Sequence, residues 1–119
     1  MNRPIQGDNL SPIFINLELV ARDAIKAVQR GDVMVIIDVL RCSSTIITVL
    51  SNGAKGVIPT KTLQEAKRRH RQNSGSLLAG ERVGFKPKGF DLGNSPLQFT
   101  PEKVKNKLII LTTTSGAKA

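Results

Sequence analysis

The chain has 119 residues, 39% of them hydrophobic, with four Phe and neither Trp nor Tyr. Its core must therefore be aliphatic, and the scarcity of aromatics argues against a stacking surface for single-stranded nucleic acid. The formal charge of +9 favours anionic partners without choosing among them, one cysteine excludes an internal disulfide, and no apolar run is long enough to span a membrane, so a cytoplasmic protein is expected.

Residues 1–11, polar with Pro, Gly and Asn, read as a loose arm. PIFIN (12–16) is a short strand candidate. Leu17 to Arg30 places Leu17, Val20, Ala21, Ala24, Ile25 and Val28 at helical spacing, and Gly31 sits where a helix-ending glycine belongs. VMVIID (33–38) is a continuous β-branched run, which predicts a strand buried on both faces. After VLRCSST (39–45), residues 46–52 read as a helix closed by Gly53. KGVIPT (55–60) is the next strand, 61–73 an amphipathic helix, and SLLAG (76–80) a third short strand. A long glycine- and charge-rich loop follows. Thr100-Pro101-Glu102 then starts a short helix, with Pro at its first position and an acid in its first turn. KLIILT (107–112) is another buried strand, and TTTSGAKA ends the chain.

Strands alternating with helices predict one α/β domain over 1–119, a three-layer α/β/α arrangement with a mostly parallel sheet. Ligands of such sheets bind beyond the carboxyl ends of the strands. Three of those ends carry the unusual polar residues: Asp38 with Arg41, Ser43, Ser44 and Thr45; Glu81 with Arg82; and Thr113, Thr114 and Ser115. Hydroxyls and free N–H groups at a helix start, joined by an arginine fork, suit an anion; ordinary helix capping is the plainer use of the same hydroxyls. Cys42 lacks the loop arginine of cysteine phosphatases, since Thr48 stands there, and reads as a small buried residue. No GxxxxGK[ST], CxxC or His cluster is present, so neither a P-loop nor a zinc site is expected. His70 lies within KRRHR (67–71), read as a solvated helix face, and nucleic acid is not the expected partner.

Four blocks in order, DVLRCSSTI, NGAKGVIP, GERVGFKPKGFDLGNSP and ILTTTSGAKA, resemble the 2-phosphosulfolactate phosphatase family, magnesium-dependent acid phosphatases linked to coenzyme M biosynthesis. The resemblance covers roughly 33–119. Cys42 replaces a usual small residue, Val83 a Gly, Ser115 an Asn and Ala117 a Thr. Family members are markedly longer, which implies a truncated chain, with an open sheet edge inviting a homodimer or a missing C-terminal chain.

The resemblance implies hydrolysis of phosphate monoesters of 2-hydroxy acids, 2-phosphosulfolactate foremost, with Mg²⁺. Asp38, Glu81 and Asp91 are then the catalytic and metal-binding carboxylates. Arg41, Ser43, Ser44, Thr45, Arg82, Lys86, Asn94, Ser95, Thr113, Thr114 and Ser115 bind substrate. Asp38 as metal ligand and Asp38 as nucleophile both stand open. The alternatives are a non-catalytic binder of anionic metabolites or nucleic acid, and a subunit active only with a second chain.

Overall fold

The computed structural model describes residues 12–19, 21–38 and 40–115. They divide into two bodies, one up to Ile36 and one from Ile37 onward.

In the first body a 3₁₀ turn, Ala21–Asp23, runs into helix α1, Ala24–Arg30. The helix is shorter than its apolar spacing predicts, and Val20 lies outside the described residues. It ends as expected. Gly31 adopts φ 77°, its N–H donates to Val28 O, and the Asp32 N–H donates to Ala27 O. That pair of bonds closes the last turn and needs a residue without a Cβ penalty. Arg30 meets Asp32 at 2.8 Å and Glu18 at 3.5 Å, exposed pairs of small energetic weight.

Among the described residues the strands predicted at 12–16 and 33–38 are absent, Ile13 carrying only a single bridge. Residues 32–38 carry no regular secondary structure, and Val33 is 93% exposed. Strand propensity is realised only when a neighbouring ladder takes up the backbone N–H and C=O groups. No described strand pairs with this run.

The second body holds α2 (Cys42–Ser51), β1 (Gly56–Thr60), α3 (Leu63–Gln72), β2 (Leu77–Gly80), α4 (Pro101–Val104) and β3 (Leu108–Thr112). The three strands are all parallel in the order β1-β3-β2, with Ile110 opposite both Ile58 and Leu78. Alternation along β3 makes the layers. Ile109 and Leu111 pack with Ala79, Val49 of α2, Val104 of α4 and Phe99 in one cluster. Ile110 points the other way, onto Ala66 of α3, with Leu78 and Phe90. Helices thus cover both faces, and Ile109, Ile110 and Leu111 are fully buried. This is the α/β/α sandwich expected of continuous apolar strands.

Local chemistry sets the helix boundaries. The Thr62 hydroxyl accepts the Glu65 N–H at 3.1 Å, and the Glu65 carboxylate accepts the Lys61 N–H at 3.0 Å, two otherwise orphan donors satisfied at the start of α3. Helix α2 begins four residues before its predicted start, at Cys42. Ser43 and Ser44 therefore lie inside its first turn and do not cap it; Arg41 holds the N-cap position without a side-chain bond.

Candidate active site

Parallel pairing of Gly80 with Thr112 brings the residues that leave β2 and β3 side by side. The Glu81 N–H extends the ladder by donating to Thr112 O at 2.9 Å. Gly80 permits this closeness: at φ 140° a Cβ would fall 1.8 Å from Thr112 O.

The Glu81 carboxylate, 8% exposed, is the hub of the strand ends. It accepts the Thr114 N–H at 2.6 Å on Oε1, and the Gly84 N–H at 2.8 Å and Thr114 hydroxyl at 2.9 Å on Oε2. The Thr114 hydroxyl in turn accepts the Val83 N–H at 2.9 Å. Burial pushes the carboxyl up, but the Thr114 and Gly84 N–H groups, the Thr114 hydroxyl and the Arg82 charge outweigh it, leaving it below the ordinary carboxylate value.

The long loop after β2 is ordered by its own hydrogen bonds. The Gly80 N–H reaches Leu92 O and Gly93 O, the Leu92 N–H returns to Leu78 O, and Phe90 and Leu92 are buried. Asp91 belongs to this framework: its Oδ2 accepts the Leu78 N–H at 2.8 Å. Arg82 is likewise structural, donating to Lys61 O at 3.0 Å and to the Thr112 hydroxyl at 2.7 Å. Lys86 reaches back to Asp91 O at 3.5 Å.

A cleft of about 280 Å³ opens beyond these strand ends. Seven sequence-predicted residues line it: Asp38, Arg41, Glu81, Asn94, Thr113, Thr114 and Ser115. Ser43, Ser44, Thr45, Arg82, Lys86, Asp91 and Ser95 do not. Thr45 is buried and donates to Asn94 O at 3.1 Å, and Ser95 O accepts the Gln98 N–H at the start of a 3₁₀ turn. The expected carboxylate trio is therefore split. Asp38 and Glu81 face the cleft, and Asp91 braces the loop. Among the described residues no group of three His, Cys, Asp or Glu side chains is placed to hold a metal ion.

Leu40, Cys42, Val83 and Gly84 also line the cleft, and residue chemistry did not single them out as site residues. Burial pushes the Cys42 thiol up, and the Asp38 and Glu81 charges add to that against a hydrogen bond with Thr113. A protonated, buried thiol fits a wall residue better than a nucleophile.

Asn94 is the anomaly of the cleft. It is 7% exposed, and its Oδ1 is buried without a hydrogen-bond partner. Leaving such a group unpaired costs about 1–3 kcal/mol.

The family model for 2-phosphosulpholactate phosphatase matches residues 19–119. A probable 2-phosphosulfolactate phosphatase of Thermotoga petrophila is 58% identical over 84 residues, 71% of this chain and 36% of that protein. One from Clostridium beijerinckii is 44% identical over 109 residues, 88% of this chain and 45% of that protein. One from Pseudothermotoga lettingae is 52% identical over 92 residues, 77% of this chain and 39% of that protein. The matched stretch is thus less than half the length of each of these relatives. Among the described residues no helix is long and apolar enough to cross a membrane.

Proposed function

The chain belongs to the 2-phosphosulfolactate phosphatase family, and on that premise we propose that it supplies the phosphate-handling site of a Mg²⁺-dependent phosphatase for 2-hydroxy-acid phosphate monoesters, 2-phosphosulfolactate foremost. The observation that carries this reading is the cleft itself. It joins a carboxylate pair, an arginine and three hydroxyl residues beyond the carboxyl ends of β2 and β3, where open α/β sheets bind ligands.

The α2 N-terminus begins at the cleft wall with Arg41 and Cys42. Its dipole favours an anion, and the Arg41 fork adds a permanent charge. Phosphoryl transfer asks mainly for positioning and charge neutralisation, which such a site supplies. Asp38 lines the cleft half-buried, and among the described residues it makes no hydrogen bond. It is the carboxylate free to meet a cation or a water. Glu81 fixes the Gly84 and Thr114 backbones at the cleft, so the Thr114 hydroxyl is held in one arrangement. A bound Mg²⁺ supplies neutralisation of the phosphoryl oxygens. The donor chemistry fits it: one carboxylate and one orphan amide oxygen share a cleft, and Mg²⁺ habitually keeps waters and takes few protein ligands.

The test is phosphate release from 2-phosphosulfolactate and 2-phospholactate by the purified chain, with Mg²⁺ and then with EDTA. Turnover that EDTA abolishes is the expected result. A folded chain that releases no phosphate from either compound overturns the reading for this chain alone.

A further inference from the structure

The unpartnered Asn94 oxygen asks for a ligand. The backbone that carries it is held in place. Thr45 pins the residue's own carbonyl at 3.1 Å. The preceding Gly93 is held on both sides, its N–H donating to Gln98 Oε1 at 2.7 Å and its carbonyl accepting the Gly80 N–H at 3.2 Å. A residue on a fixed backbone, its amide oxygen buried and without a partner, therefore lines the cleft that Asp38 and Glu81 also line.

An amide oxygen only accepts. Its partner is a hydrogen-bond donor or a cation, and the neighbouring charges decide between them. Both Glu81 oxygens are already occupied by three donors, so Glu81 has little left for a metal. Asp38 retains its oxygens. A hard divalent cation is the partner that uses a carboxylate and an amide oxygen together. One charged and one neutral ligand also leave such a cation with net positive charge to attract a phosphate, whereas two carboxylates would cancel it.

We propose that Asn94 Oδ1 is a direct ligand of the divalent cation, paired with Asp38, and that Glu81 is a positioning residue outside the coordination shell. This rests on the reading above that the cleft takes Mg²⁺.

The experiment uses Mn²⁺ as a visible stand-in, titrated into the purified chain and followed by loss of the free-ion EPR signal, with folding checked by circular dichroism. The variants are Asn94→Ala and Asn94→Asp. The expected result is one Mn²⁺ site in the wild type, weakened about tenfold or more by Asn94→Ala, since even supporting residues of metal sites cost that much. Asn94→Asp keeps an oxygen in place and adds charge, so it binds Mn²⁺ as well as the wild type or better. Wild-type binding that Asn94→Ala leaves unchanged overturns the Asn94 assignment and spares the Mg²⁺ reading. Asn94→Asp as weak as Asn94→Ala overturns it too, because the buried atom would then face an anion. A wild type that takes up no Mn²⁺ removes both readings. If Asn94→Ala does not fold, the near-isosteric Asp variant decides alone: retained or tighter binding supports the proposal, and weaker binding overturns it.

Discussion

Replacing Glu81 by Gln is expected to loosen the whole carboxyl edge of the sheet, not merely to remove a charge. Three donors converge on the carboxylate: Thr114 N–H at 2.6 Å, Gly84 N–H at 2.8 Å and the Thr114 hydroxyl at 2.9 Å. Gln keeps one oxygen, which can serve Thr114 N–H. Its NH₂ then faces the Gly84 N–H, donor against donor. The Thr114 hydroxyl has a second lone pair beside the one that accepts the Val83 N–H, so it can turn to accept that NH₂, and the loss falls on the Gly84 N–H. One charge-assisted bond, worth about 1.5–3 kcal/mol, is lost, and an N–H is left unpaired. The cleft admits water, so the lower end, about 2 kcal/mol, is the working figure. For a body of this size that lowers the melting temperature by about 8–16 °C. The assay is thermal unfolding of both proteins from pH 7 down to pH 3. The folded Glu81 carboxyl lies below its unfolded value. Its contribution is therefore full above the unfolded range, near about pH 4.3, and fades as pH falls through the lower folded value. The wild-type advantage should shrink over that window. A variant within about 2 °C of the wild type at pH 7 refutes the network argument, since that is below about 1 kcal/mol.

Val83 is 81% exposed yet sits at φ 52°, where a β-branched residue is strained. The left-handed conformation costs about 1–2 kcal/mol, and glycine returns about 0.5–1 kcal/mol of that as unfolded-state entropy. Val83→Gly should thus raise the urea midpoint slightly; a lowered midpoint contradicts the strain. Gly80→Ala would drive a Cβ to 1.8 Å from Thr112 O, and soluble, folded protein should be lost; a wild-type melting curve refutes the close approach. The Cys42 thiol is raised by burial, so its contribution is full below the unfolded thiol range, about pH 8.5, and is lost as pH rises through the folded value. Its reaction with a thiol reagent at pH 8 should be much slower than in urea, and Cys42→Ser should retain whatever phosphate release the chain shows. Rapid native labelling, or activity lost in a folded Ser variant, would return the thiol to the chemistry.

The amino-acid sequence by itself determined the second body. β-branched runs wrote β1 and β3, Thr62 and Glu65 wrote the start of α3, and four ordered blocks wrote the family. These signals are local, because each is satisfied by residues a few positions away or by a period that any buried strand repeats. The same logic failed at 33–38, where the pattern of a strand is present but no described ladder receives it. Pairing is a property of two segments, and propensity describes one. The division of labour among the polar residues was also beyond the sequence. Glu81 and Asp91 are both carboxylates flanked by glycines and cations, but one gathers donors at the cleft wall and the other binds Leu78 N–H behind it. Arg82 and Thr45 look like substrate ligands in the chain and serve as braces in the fold. Asn94 shows the reverse. Only tertiary packing, which buried its amide oxygen without a hydrogen-bond partner, marks it as the atom still waiting for one.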